Sequence, residues 1–240
     1  MAITKTQSVT GTGSTIVLNS VASGACLVLT SSAFNSASVT AETVPTDSAG
    51  TFLTQDRLAA ALSTQGVLCS VFYEPNAAAG THTATPQNFG AGSQQRCFTE
   101  FAGIATVAPL DVKNSAKTEN TNHTSQATGT TGTTAQAREL VVIACTLAGT
   151  PGSTAVGWTD PVSGFTTLMK ASNDSTDIAG FHAFQVIAAI GTQAATFNWT
   201  DASASQTSQA LIGTYEGGAP AVRSLDGGHR PKPFAPGSPR

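Results

Sequence analysis

Charge is scarce in this chain. Of its 240 residues, 10% are Asp, Glu, Lys or Arg, against roughly a quarter in an ordinary soluble domain. A polar surface must therefore be built from Ser, Thr, Asn, Gln and Gly. Other absences exclude whole chemistries. The four cysteines, 26, 69, 97 and 145, sit inside apolar runs and make no CxxC pair, which argues against a zinc ribbon or a dithiol redox site and for buried thiols acting as small hydrophobes. The four histidines, 82, 123, 182 and 229, have no HxxxH, HxH or HExxH spacing. Strand alternation around His82 and His182 reads as solvent-facing or hydrogen-bonded histidine rather than metal ligand. No G-x-S-x-G elbow, P-loop or GxGxxG occurs, removing the sequence basis for an esterase nucleophile or a nucleotide phosphate cradle. No apolar run approaches the length of a membrane-spanning helix, and the start Met-Ala-Ile-Thr-Lys-Thr-Gln-Ser lacks a signal peptide's apolar core. Assembly in a reducing cytoplasm, with no membrane partner, is the expectation.

What is present is strand signal. Gly66–Tyr73 and Arg96–Gly103 are apolar runs flanking the punctuation Glu-Pro-Asn-Ala-Ala-Ala-Gly80 and the extended Thr81–Thr85, a pattern of antiparallel sheet. Ala25–Thr30 reads as a core strand. Leu140–Leu147 is apolar on both alternating faces and reads as a central strand covered on both sides. The segment Phe181–Ile190, the turn Gly191-Thr192, Ala194–Thr200 and Gln209–Glu216 repeat the order of the 66–103 stretch about 110 residues later. The expected fold is all-β: an antiparallel, jelly-roll-like β-sandwich of two related halves with extended terminal arms. Residues 1–20 form an N-terminal arm or edge strand, 21–217 the sandwich, and 218–240 a C-terminal arm. Helix formers at Asp56–Ser63, with Leu58 and Leu62 four apart, allow at most a turn or two of helix, or none. Lys113–Ala135 is almost free of large apolar residues and reads as a long exposed connection.

Candidate chemistry is thin. Glu74 and Glu100 end neighbouring predicted strands and are the nearest approach to a glycosidase carboxylate pair, against the plainer reading of strand-end charges. Asn173-Asp-Ser-Thr-Asp177 offers oxygen ligands but lacks the order of a calcium loop and reads as an Asx-rich turn. Trp158 and Trp199 are the candidates for contact with a host glycan by ring stacking, against core aromatics as the bland alternative. No catalytic residue, cofactor or metal ligand is assigned.

The ends differ from the body. Residues 1–216 carry 7 basic and 13 acidic side chains, whereas 217–240 carry Arg223, Arg230, Lys232 and Arg240 against Asp226. Four prolines in the last ten residues favour polyproline II. Arg230, Lys232, Pro233, Phe234, Pro236 and Arg240 therefore describe a docking arm, Phe234 being its lone aromatic anchor. Four positive charges among prolines are too few to indicate nucleic acid.

Val71-Phe-Tyr-Glu-Pro-Asn-Ala-Ala-Ala-Gly-Thr-His-Thr-Ala-Thr85 resembles a strand–turn–strand segment of jelly-roll modules in tailed-phage virion proteins and some bacterial surface proteins. Phe98–Gly103 with Pro109-Leu-Asp111, Arg138–Val142, Gly157-Trp158 and Ala210–Glu216 resemble later strands of the same modules, so the likeness covers roughly residues 25–217. It implies a non-enzymatic virion structural protein: a capsid decoration or accessory subunit anchored by its arms to major capsid or tail subunits, homo-oligomeric on a symmetric assembly. A tail, neck or fibre component and a carbohydrate-binding adhesion module are the alternatives.

Overall fold

The computed structural model describes residues 1–35, 40–63, 65–89, 93–149, 157–159, 164–173, 178–200 and 206–218, and these form fifteen strands and no helix. In chain order they are β1 (Thr4–Gly11), β2 (Ile16–Val21), β3 (Cys26–Asn35), β4 (Thr46–Asp47), β5 (Leu53–Leu62), β6 (Gln65–Glu74), β7 (Gly80–Thr85), β8 (Gln94–Ala102), β9 (Leu110–Thr121), β10 (Ser125–Thr133), β11 (Leu140–Gly149), β12 (Thr166–Asn173), β13 (Ile178–Val186), β14 (Thr192–Asn198) and β15 (Gln206–Tyr215). The fold is an all-β antiparallel sandwich.

Two five-stranded sheets carry the architecture, in the orders β1-β8-β3-β6-β5 and β9-β15-β11-β13-β12. Written this way they are one topology used twice. Each is backed by a small sheet, β2-β7-β4 for the first and β10-β14 for the second. Central strands β3, β6, β11 and β15 are buried along nearly their whole length, as expected for sheets covered on both faces.

Three apolar clusters fill the gaps between layers. One, including Leu18, Leu27, Leu29, Phe52, Phe72 and Phe98, lies between the first large sheet and its small sheet. A second, including Val141, Ile143, Trp158, Phe181, Phe197 and Trp199, does the same for the second half. The third joins the two large sheets face to face through Cys26, Val28, Val71, Tyr73, Phe101, Val142, Leu211 and Tyr215. That join is two-fold in character. Cys26 pairs with Phe101 as Leu140 pairs with Tyr215, and Val28 pairs with Tyr73 as Val142 pairs with Phe184. Cys26 and Leu140 are 114 positions apart (140 − 26), as are Phe101 and Tyr215 (215 − 101). Across the join Tyr73 meets Tyr215 at 5.2 Å, tilted 72°, and its counterpart pair Phe101 and Phe184 meets at 5.2 Å, tilted 66°. Residue i of one half touches j of the other and j touches i, the rule of an isologous interface.

The structure resolves two open expectations and corrects a third. Asp56–Ser63 holds no helix: residues through Leu62 belong to β5, pairing with β6 from Leu53↔Tyr73 to Leu62↔Gln65. A sheet edge that would otherwise lack partners overrides helix propensity. Lys113–Ala135 is not a connection but supplies most of β9 and all of β10. These strands need no large side chains, because β9 is the edge beside β15 and β10 covers it. Within residues 1–20 the edge-strand alternative holds, since β1 adds to β8 and β2 to β7. The expected C-terminal arm, with Arg230, Lys232, Pro233, Phe234, Pro236 and Arg240, lies outside the described residues, as does most of the Asn173–Asp177 turn.

Candidate functional site

Strand positions that point into the layers carry several polar side chains, and their partners decide what each can do. Glu74 and Glu100 both pair with Leu27, one on each side of β3. Two strand spacings separate them, about 10 Å. Glu100 is committed: Gln7 Nε2 donates to Oε2 at 2.7 Å and the Ala22 amide to Oε1 at 2.8 Å. Two donors hold both Glu100 oxygens, which suits the plainer reading of a strand-end charge.

Trp158 and Trp199 are 5% and 3% exposed. They meet edge to face at 5.5 Å, Trp158 also stacks against Phe181 and Phe197, and Trp199 Nε1 donates to the His123 carbonyl at 3.1 Å. Both indoles are core aromatics, the plainer of the two expectations, and neither leaves an open ring face for a sugar.

Ser32 Oγ lies 2.9 Å from His182 Nε2, the spacing of a nucleophile and its base. Both residues are fully buried between the sheets. Thr30 Oγ1 is 2.6 Å from Nδ1 and donates to the Cys97 carbonyl, while Thr146 Oγ1 donates to Ser32 Oγ at 2.8 Å. Burial pushes the His182 pKa down to about 3, so the ring is neutral. Ser32 and Thr146 are equivalent positions of the two halves meeting on the pseudo-axis, and His182 stands where the first half has Val71. The group is a sealed hydrogen-bonded lock.

Arg96 is another lock. Its side chain is fully buried and donates to Glu42 Oε1 at 3.3 Å, to the Gly13 carbonyl at 2.9 Å, to Ser31 Oγ and to the Gln87 carbonyl. Desolvation lowers the Arg96 pKa and raises that of Glu42. The ion pair ties β8 to the segments before β2, β4 and β8.

A further polar cluster is buried close to an open groove. His82 on β7, Asp47 ending β4 and Glu74 ending β6 bring a ring nitrogen and two carboxylates within 4.8 Å of one another. His82 Nε2 donates to the Ala78 carbonyl at 3.0 Å, and Nδ1 faces Asp47 Oδ2 at 2.7 Å and Glu74 Oε1 at 3.9 Å. The Ala49 amide also donates to Asp47 Oδ2, at 3.0 Å. Asp47 Oδ1 and Glu74 Oε2 are buried with no hydrogen-bond partner. Burial raises the Glu74 pKa, helped by Asp47 and opposed by His82. Burial works against a charged His82, but the bonds to Ala78 and Asp47 outweigh it and raise its pKa. Gly50 makes room: a Cβ there would fall 1.8 Å from Glu74 Oε1. Glu74 lines an open groove with Ser23, Gly50, Leu53, Asn76 and Ala78. Spacing could not announce this trio, because Asp47, Glu74 and His82 meet only once β4 and β6 flank the turn into β7.

A second groove lies where Met1, Gly24, Ile104, Val107 and Gly218 come together. Val107 is 82% exposed there and Met1 66%. Gly103, with φ +81°, would place a Cβ 2.3 Å from the Ala2 carbonyl, and the Gly218 amide donates to the Gly103 carbonyl at 2.8 Å. Residues 1–3 and 217–218 thus share one pole. Comparison with family models, with curated proteins and with solved structures finds no match to this chain.

Proposed function

We propose that this chain is a non-enzymatic structural subunit of a tailed-phage virion, a capsid decoration protein that holds neighbouring virion subunits through its ends. The observation that carries the reading is the shared pole: the groove walled by Met1, Ile104 and Val107 adjoins Gly218, from which the basic, proline-rich segment 219–240 continues. Contact residues would then be concentrated in one region, and many copies on a symmetric lattice would add weak contacts into avidity. A surface poor in Lys and Glu supports it, since little side-chain entropy is lost on packing. Ser32–His182 is sealed between the sheets and Glu100 is held by two donors.

The test is incorporation into particles. Deleting residues 219–240 is expected to leave the sandwich folded and to reduce occupancy on the virion at least tenfold, with Phe234→Ala giving a smaller loss. Normal occupancy of the truncated chain would overturn the reading.

A further inference from the structure

The Asp47–Glu74–His82 trio poses a charge problem at its imidazole. In a neutral imidazole one nitrogen donates and the other carries a lone pair. The Ala78 carbonyl can only accept, so the Nε2 hydrogen is committed to it. Nδ1 would then present its lone pair to Asp47 Oδ2 at 2.7 Å. Two lone pairs at that distance repel unless something positive lies between them. Close by, Asp47 Oδ1 and Glu74 Oε2 are buried and lack any donor, although Glu74 as a whole is only 4% exposed. Buried carboxylate oxygens without partners carry a desolvation cost that native structures avoid.

We propose that Asp47, Glu74 and His82 form a binding site for one divalent transition-metal ion of the zinc class. His82 would ligate through Nδ1, with its tautomer and ring orientation fixed by the Nε2–H bond to Ala78, the outer-shell device common to metal-bound histidine. One carboxylate oxygen from each acid completes a tripod. Ligand atoms already within 4.8 Å of one another need only small adjustment for metal–ligand bonds near 2 Å. One imidazole among two carboxylates suits zinc or manganese; calcium and magnesium prefer oxygen alone. Of the three, Glu74 lines the neighbouring open groove, the side from which water would complete the shell.

The second half argues that the trio is an addition rather than part of the scaffold. Its counterpart strands β13 and β14 have the sequences IAGFHAFQV and TQAATFN, with no acid in either and no histidine in β14. Among the described residues, the counterparts of β6 and β7 pair in the second half without equivalents of Glu74 or His82. An ion in the first half would clip β4, β6 and β7 together at the rim of the sandwich.

The experiment uses the full chain freed of metal by chelator and titrated with Zn²⁺ at pH 7.5 by calorimetry, followed by thermal unfolding. One ion per chain is expected to bind at micromolar affinity or tighter and to raise the melting temperature by several degrees, reversibly with EDTA. Glu74→Gln and His82→Gln should each weaken binding at least tenfold, whereas His123→Gln, at a half-buried histidine outside the cluster, should not. Co²⁺ bound to the unaltered chain should give visible absorption bands, which tests the site without any variant that might fail to fold. Absence of saturable Zn²⁺ binding and of Co²⁺ bands would overturn the proposal and identify a proton as the positive charge at Nδ1. Binding retained in both variants would place the ion elsewhere and overturn it equally. Neither result bears on incorporation into virions.

Discussion

Two fully buried charged or titratable side chains illustrate opposite ways of carrying polarity into a sheet interface. His182 is neutral, and its neutrality has a pH signature. The unfolded chain takes up a proton near the usual 6.5, whereas the folded ring resists to about 3. Its contribution to stability is complete above about pH 6.5 and is lost as pH falls towards 3. At pH 5 the loss is about 2 kcal/mol. His182→Val, which restores the residue type of Val71 in the other half, should remove that share of the pH dependence in urea unfolding compared at pH 8 and pH 5. Ser32 keeps a partner in that variant, the Cys145 carbonyl at 3.3 Å. Arg96 is charged, and its removal strands Glu42. Arg96→Met is expected to cost about 3–5 kcal/mol, and Glu42→Gln in the same chain should restore part of it, both read by denaturant midpoint. Sequence patterning located both residues inside strands. It gave no sign of their burial, because a lone His or Arg in an apolar run looks the same whether its face is solvated or covered.

At the level of elements, alternation and β-branched content revealed the strands made of large apolar residues: β3, β6, β8, β11, β13 and β15. The less visible elements were those whose partners do the work. β5 reads as helix through Leu58 and Leu62, yet Leu62 is buried and Arg57 exposed on a strand that finishes the first sheet. β9 and β10 read as connection because Thr, Ser and Gly fill them; Thr128, Thr131 and Gln126 are nonetheless buried. The Thr128 hydroxyl accepts from the Ala195 amide at 3.0 Å, and such bonds replace apolar contact at that layer. Beneath β14 the core depends on the two indoles. Trp158→Ala should cost about 3–5 kcal/mol in unfolding free energy, without change in any glycan binding. The metal trio belongs to this scale too: three residues over 36 positions (47 through 82) meet through strand ends, a relation that only the pairing of β4 with β7 and the end of β6 create.

For the molecule as a whole, the repeat legible in Gly66–Gly103 and Phe181–Glu216 extends to every strand of both large sheets. Residues 1–107 alone would expose the face bearing Val28, Val71, Tyr73 and Phe101. That fragment is expected to self-associate, or to bind a fragment of 108–218, and light scattering would show dimers or larger species; a stable soluble monomer would show that the face does not need its counterpart.

Only residues 103–109 separate β8 from β9. A tether this short holds the two halves at an effective concentration on the order of millimolar. What would be a concentration-dependent dimer in separate chains becomes a folding step, indifferent to dilution. Fusion also releases the copies from identity: one half can carry Asp47, Glu74 and His82 and the other a pair of tryptophans, an asymmetry that no true homodimer can sustain.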